Sequence, residues 1–307
     1  MIQKIHDRVK KMKITGKNAD YIPQLKKVNP NLFAISIYTV TGEEYDVGDY
    51  DKEVAIESVS KVFSLALSLK KVGLANMSKM VGTEQTFGAF NSITGIVDSP
   101  NHTVNSFENG GAMATTSICY EKNQTAYLKK IFDNLSDFAG RKISFSKETY
   151  ESEMSNLDHN LAIAYLLKSY GKFYGHVLQS VSAYTKQCSA MVTTQDVAVM
   201  AATLANYGVN PLTGQRVVEK KYIPYIIEHM ASNGVYGYTE TWMTNIGMPA
   251  KSGVGGILLI VVPGVMGIGI LSPPLDPHGN SAKGIIAAQE LSKKLHLGMY
   301  DYNRVMS

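Results

Sequence analysis

Residues 253–271 read GVGGILLIVVPGVMGIGIL, and the way they fold decides the architecture. No residue from Gly253 to Leu275 carries a charge, a length that would suit a membrane-spanning helix. Pro263-Gly264, however, falls in the middle. The runs on either side are short, and the first is β-rich. Pro-Gly between two such runs is a turn signal. The stretch therefore reads as a buried β-hairpin, with strands over 256–262 and 265–271.

A second hairpin is predicted near the N-terminus, from LFAISIYTV (32–40), the turn TGEE and YDVGDY (45–50). Between the hairpins the apolar spacing is helical. Helices are predicted over 58–72, 111–121, 124–138, 157–170, 174–187, 194–206, 219–232 and 236–245, with Gly73, Gly171 and Gly208 as stops. A last helix is expected over about 281–296. Four strands from the two ends of the chain can share one antiparallel sheet, with the last helix on one face and the helical block packed beside it. The expectation is an α/β (α+β) fold in one catalytic domain. Its sheet layer comes from 1–57 and 248–307, and a mostly helical subdomain, 58–247, is inserted.

The bulk numbers exclude several classes. The 307 residues are 45% hydrophobic and 18% charged, ordinary for a globular chain and wrong for a disordered one. The net charge is +4 with the basic residues scattered, and the small cluster Lys10, Lys11, Lys13 reads as a solvated face. No nucleic-acid or membrane partner is expected. Two cysteines, Cys119 and Cys188, show no metal-binding spacing, so buried thiols in a reducing compartment are expected. The N-terminal stretch has no apolar signal region, which points to the cytoplasm.

The helix IESVSKVFSLALSLKKVG (56–73) carries the first chemical signal. Ser58 and Lys61 lie one turn apart on one face. A buried lysine at a helix N-terminus is pushed toward its neutral form and can accept a serine proton. S-x-x-K recurs at Ser68/Lys71 and Ser144/Lys147. Lys71 sits in the last turn of its helix, where a cation is favoured, and Ser144 lies in a polar run. Only Lys61 precedes a wholly apolar stretch. The bland alternative is a snorkelling lysine beside a capping serine. Downstream, PAKSGVGG (249–256) places Lys-Ser-Gly at the start of a strand that could present a backbone N–H to an oxyanion. S-x-x-K with a distant K-[ST]-G is the pairing of serine β-lactamases and penicillin-binding proteins, whose fold matches the architecture above.

The fuller string of motifs resembles the bacterial glutaminase family, which has this β-lactamase/DD-peptidase-like fold. The matches run nearly end to end: NADYIPQL (18–25), ESVSKVFSLALSL (57–69), NGGAMATTSI (109–118), HNLAIAYLL (159–167), YTKQCS (184–189), GVNPLTGQRV (208–217), GVYG (234–237), PAKSGVGG (249–256) and VVPGVMGIGI (261–270) among them. The resemblance implies hydrolysis of L-glutamine to L-glutamate and ammonia, with no cofactor and no metal, by a homo-oligomer (dimer or tetramer). Ser58 would be the nucleophile, Lys61 its base and Tyr236 a proton carrier. The N–H groups of Ser58 and Val254 would form the oxyanion hole. Tyr21, Asn109, Glu153, Asn160 and Tyr184 would hold the α-amino and α-carboxylate ends. These residue types suit a zwitterion, with one carboxylate for the ammonium and neutral donors for the carboxylate.

The chain departs from the family around 85–110. Gln85 replaces a proline, Phe87 a glycine and Gly110 an alanine, two prolines ahead of Asn109 are absent, and Leu161 stands where arginine is common. A looser 85–110 loop is expected. Two other functions remain open on sequence grounds: an amino-acid-binding protein without turnover, and an amidohydrolase of altered specificity, such as toward asparagine.

Overall fold

The computed structural model describes residues 1–86, 89–301 and 303; Phe87 lies outside them. One five-stranded sheet runs in the order Glu44–Gly48, Ala34–Thr39, Met266–Leu271, Ile257–Val262, Ala250–Gly253, with every neighbouring pair antiparallel. The apolar run is thus a hairpin, in register with Ile260 opposite Ile268 and Val262 opposite Met266. No helix among the described residues is long and apolar enough to cross a membrane.

Why this hairpin mimics a membrane span follows from its two buried faces. Leu258, Ile260 and Val262 join a core with Ile5 and Val9 of the N-terminal helix (Ile2–Lys11), Trp242, and Ala287 and Leu291 of the last helix (Ala282–Leu295). Ile257, Leu259 and Val261 point the other way, into the core built by the helical block. Alternation is present, but both alternating sets are apolar.

The central strand solves a space problem on the second face. The helix Thr194–Ala205 packs directly across it. A Cβ on Gly267 would lie 2.1 Å from the Ala202 nitrogen and 2.2 Å from the Ala198 oxygen. Helix backbone therefore meets strand backbone with no room for a side chain. We expect Gly267→Ala to lower stability by about 3 kcal/mol, read as a lower denaturant midpoint at unchanged slope.

The sheet has one strand more than the sequence predicts. The sequence places Lys251-Ser252-Gly253 at the start of the strand that runs to 262. Instead Ala250–Gly253 is its own edge strand, and Val254-Gly255-Gly256 turns the chain back into Ile257–Val262. The glycines that suggested a strand start form a second tight turn, with Gly256 at φ +86°. A short ribbon pairs Val54–Ala55 with Met191–Val192, and the Ile56 N–H donates to the Ala190 oxygen at 2.8 Å. This ribbon delivers the chain to the next turn, where the candidate chemistry begins.

Candidate active site

Ser58 sits in a single 3₁₀ turn, Glu57–Val59, that leads into the helix Ser60–Val72. Every residue of that helix from Ser60 to Leu69 is buried. The helix is held on all sides, so its first turn is a rigid mount. Ser58 itself is half-buried and opens into a cavity of about 310 Å³, a volume suited to a small polar metabolite.

Seven of the nine sequence-predicted site residues line this one cavity: Tyr21, Ser58, Asn109, Glu153, Asn160, Tyr184 and Val254. They come from seven separate segments, Ser58 from the turn just described. Tyr21 precedes the short helix Pro23–Lys26 and Asn109 opens the helix Asn109–Ile118. Glu153 lies near the end of Lys147–Met154, Asn160 in the first turn of Asp158–Ser169 and Tyr184 in Val177–Cys188. Val254 follows the edge strand. That strand approaches Ser58 closely because Gly253 has no side chain: a Cβ there would stand 2.8 Å from the Ile56 oxygen.

The other two, Lys61 and Tyr236, lie behind the cavity wall. Lys61 is fully buried, and its Nζ donates to the Phe107 oxygen (3.0 Å) and Asn109 Oδ1 (2.7 Å). Burial pushes its ammonium down to about 8, although Cys188, Glu108 and Glu57 favour the charge. Desolvation wins because neither hydrogen bond replaces a full hydration shell. Tyr236 is buried in a 3₁₀ turn at φ +52°. Its hydroxyl has no partner at hydrogen-bond distance, yet Ser58 lies near enough to oppose the rise that burial causes. The turn is locked by Thr239, whose Oγ1 donates to the Tyr236 oxygen (2.8 Å) and accepts from the Val235 N–H (2.9 Å).

Asn109 is firmly tied despite the altered loop ahead of it. Its Oδ1 accepts from Lys61 and from the Tyr184 hydroxyl (3.2 Å), and its N–H donates to the Phe90 oxygen (2.7 Å). Just upstream, Glu108 accepts from Thr86 and Asn105. With Oδ1 occupied, the Asn109 amide N–H groups remain as donors. Enclosure of the hydroxyl ends holds the phenols of Tyr184 and of the otherwise half-exposed Tyr21 well above their usual range, so both keep their protons at neutral pH.

Sequence reasoning missed three groups. Lys251 is fully buried, with Nζ 2.8 Å from the Ser252 oxygen and 4.6 Å from the Tyr236 ring centre. Burial, then Lys61, lowers its ammonium well below the usual range. Cys188 lines the cavity, and burial raises its thiol to about 12, which makes it unreactive. Glu57 also lines the cavity. Its one available signal was a carboxylate inside the apolar stretch VAIESV.

Comparison with known proteins finds relatives along nearly the whole chain. A sequence model of the Glutaminase family matches residues 16–300. A glutaminase of Mycobacterium ulcerans is 42% identical over 291 residues, 95% of this chain and 91% of the relative. A solved structure of a probable glutaminase, ybaS, superposes with a TM-score of 0.95 at 38% identity, covering 97% of this chain and 96% of that one. A probable glutaminase from Bacillus subtilis, complexed with 6-diazo-5-oxo-L-norleucine, gives 0.86 at 25% identity, covering 97% and 94%.

Proposed function

The chain belongs to the glutaminase family and hydrolyses the side-chain amide of L-glutamine to L-glutamate, and we propose that it does so through an ester on Ser58. The observation that carries the serine route is the pairing of a cavity-facing Ser58 with a fully buried Lys61 one turn on. Neutral Lys61 takes the Ser58 proton as Oγ attacks the amide carbon. The oxyanion is stabilised by the N–H groups of Ser58 and Val254. The C–N bond then breaks, and ammonia leaves with the proton that Lys61 took from Ser58, carried to it by Tyr236, so that Lys61 is neutral again. Water attacks the ester, Lys61 accepts its proton, and Ser58 recovers its own as glutamate departs. Glu153 faces the substrate ammonium, while Asn109, Asn160, Tyr21 and Tyr184 hold the carboxylate.

Side-by-side ammonia release from L-glutamine and L-asparagine tests the substrate. Glutamine should exceed asparagine in kcat/KM by about 100-fold or more, because a chain shorter by one methylene misplaces its amide. Equal rates would mean a pocket of altered specificity. No release from either, with a thermal shift on glutamine, would mean binding without turnover.

The same reading places the protein in a reducing compartment, the cytoplasm, in keeping with two cysteines that are both free and buried. It includes a homo-oligomer, carried by family resemblance and decided by light scattering. It also treats the chain as one catalytic domain, with 58–247 inserted between the parts of the sheet layer.

A further inference from the structure

Glu57 has no role in the reaction above, yet it is the least ordinary group in the cavity. It is 4% exposed, and its Oε1 is fully buried without a hydrogen-bond partner. It sits beside Ser58 and lines the same cavity. Its backbone is left-handed, φ +48°, a conformation that opposes local preference in a residue with a Cβ. The surrounding structure therefore holds this carboxyl in place.

Glu153 lines the same cavity, and its Oε1 is also buried and unpartnered. The Tyr21 hydroxyl lies close to both carboxyls. The other titratable groups facing Glu57 are Lys61 from the helix that follows its turn, Tyr184 and Cys188 from Val177–Cys188, and Tyr236 from its turn. Only Lys61 is cationic, and it is engaged by Phe107 and Asn109. Two carboxylates in so small a space resist ionising together. Burial first, and Glu153 second, drive the Glu57 carboxyl well above the usual range. An empty cavity thus holds a proton that an entering cation can replace.

We propose that Glu57 is a second acidic anchor of the pocket, which grips the α-ammonium of the substrate together with Glu153 and releases its proton to solvent as that cation enters. This rests on the amino-acid pocket of the preceding section. Proton and ammonium then compete, so KM rises as pH falls, and ligands without an α-amino group are rejected.

Titration calorimetry of the wild-type protein with L-glutamate, in two buffers of different ionisation enthalpy near pH 6, counts the protons. At that pH Lys61 keeps its own proton. About one proton should leave per ligand bound. Glu57→Gln has the same size and cannot ionise. It should release none, and its KM for L-glutamine should stay flat between about pH 5.5 and 7, where the wild-type KM falls several-fold. No release from the wild type, or equal release from Glu57→Gln, would overturn the proposal. No binding heat at all would instead overturn the amino-acid pocket itself. If Glu57→Gln does not fold, Glu57→Ala goes through the same two measurements and should likewise release no proton.

Discussion

Ser58→Ala is expected to lower kcat for L-glutamine by about four orders of magnitude or more, with little change in melting temperature. That corresponds to at least about 5.5 kcal/mol of lost transition-state stabilisation. The expectation is large because, among the described residues that line the cavity, no other nucleophile is poised to replace it. Cys188 shares the cavity, but its thiol, at about 12, is almost wholly protonated at neutral pH. Stability should hold because the Ser58 side chain opens into the cavity. The buried run from Ser60 to Leu69, which anchors the turn, is untouched. Parallel kinetics and thermal melts check both halves.

Lys61→Met should cost about three orders of magnitude in kcat, within the span that a positioned general base supplies. The cause is separable from packing. Methionine has nearly the same length and keeps the packing, while the Phe107 oxygen and Asn109 Oδ1 lose a donor, a stability cost that a thermal melt reads separately from kcat. Lys61→Arg should be equally inactive, because guanidinium does not give up its proton. An arginine variant with near-normal turnover would mean that Lys61 acts by charge, not as a base. The wild-type pH profile carries the same information. Lys61 is lowered to about 8 by burial, and only its neutral form accepts a proton. Activity should therefore climb as pH rises through about 8, and fall below it as the ammonium re-forms.

The hairpin at 257–271 was readable because Pro263-Gly264 outweighs a run of apolar residues that alone fits a membrane helix. The edge strand Ala250–Gly253 was not readable as separate. Its four residues are too few to show a period, and the glycines after it suit either a strand start or a turn. The N-terminal helix Ile2–Lys11 escaped notice because only Ile5, His6 and Val9 are buried in an otherwise charged stretch.

At the site, Ser58 and Lys61 could be paired from spacing, since one turn of helix fixes their relation. The gathering of Tyr21, Glu153 and Tyr184 could not be derived that way, because it depends on tertiary packing between distant segments. The resemblance to a known family supplied it. Glu57 was missed by both routes. Beside a catalytic motif, a lone carboxylate reads as part of the motif, and its burial without a partner is visible only in three dimensions.

Partitioning by hydroxylamine tests the acyl-enzyme most directly. Ammonia, glutamate and γ-glutamyl hydroxamate are followed together during turnover of L-glutamine. With an ester on Ser58, hydroxamate should replace glutamate mole for mole while ammonia formation is undiminished, and Ser58→Ala should form none of the three. Ammonia accompanied by glutamate alone at every hydroxylamine concentration, or hydroxamate formed equally by Ser58→Ala, would contradict the covalent route.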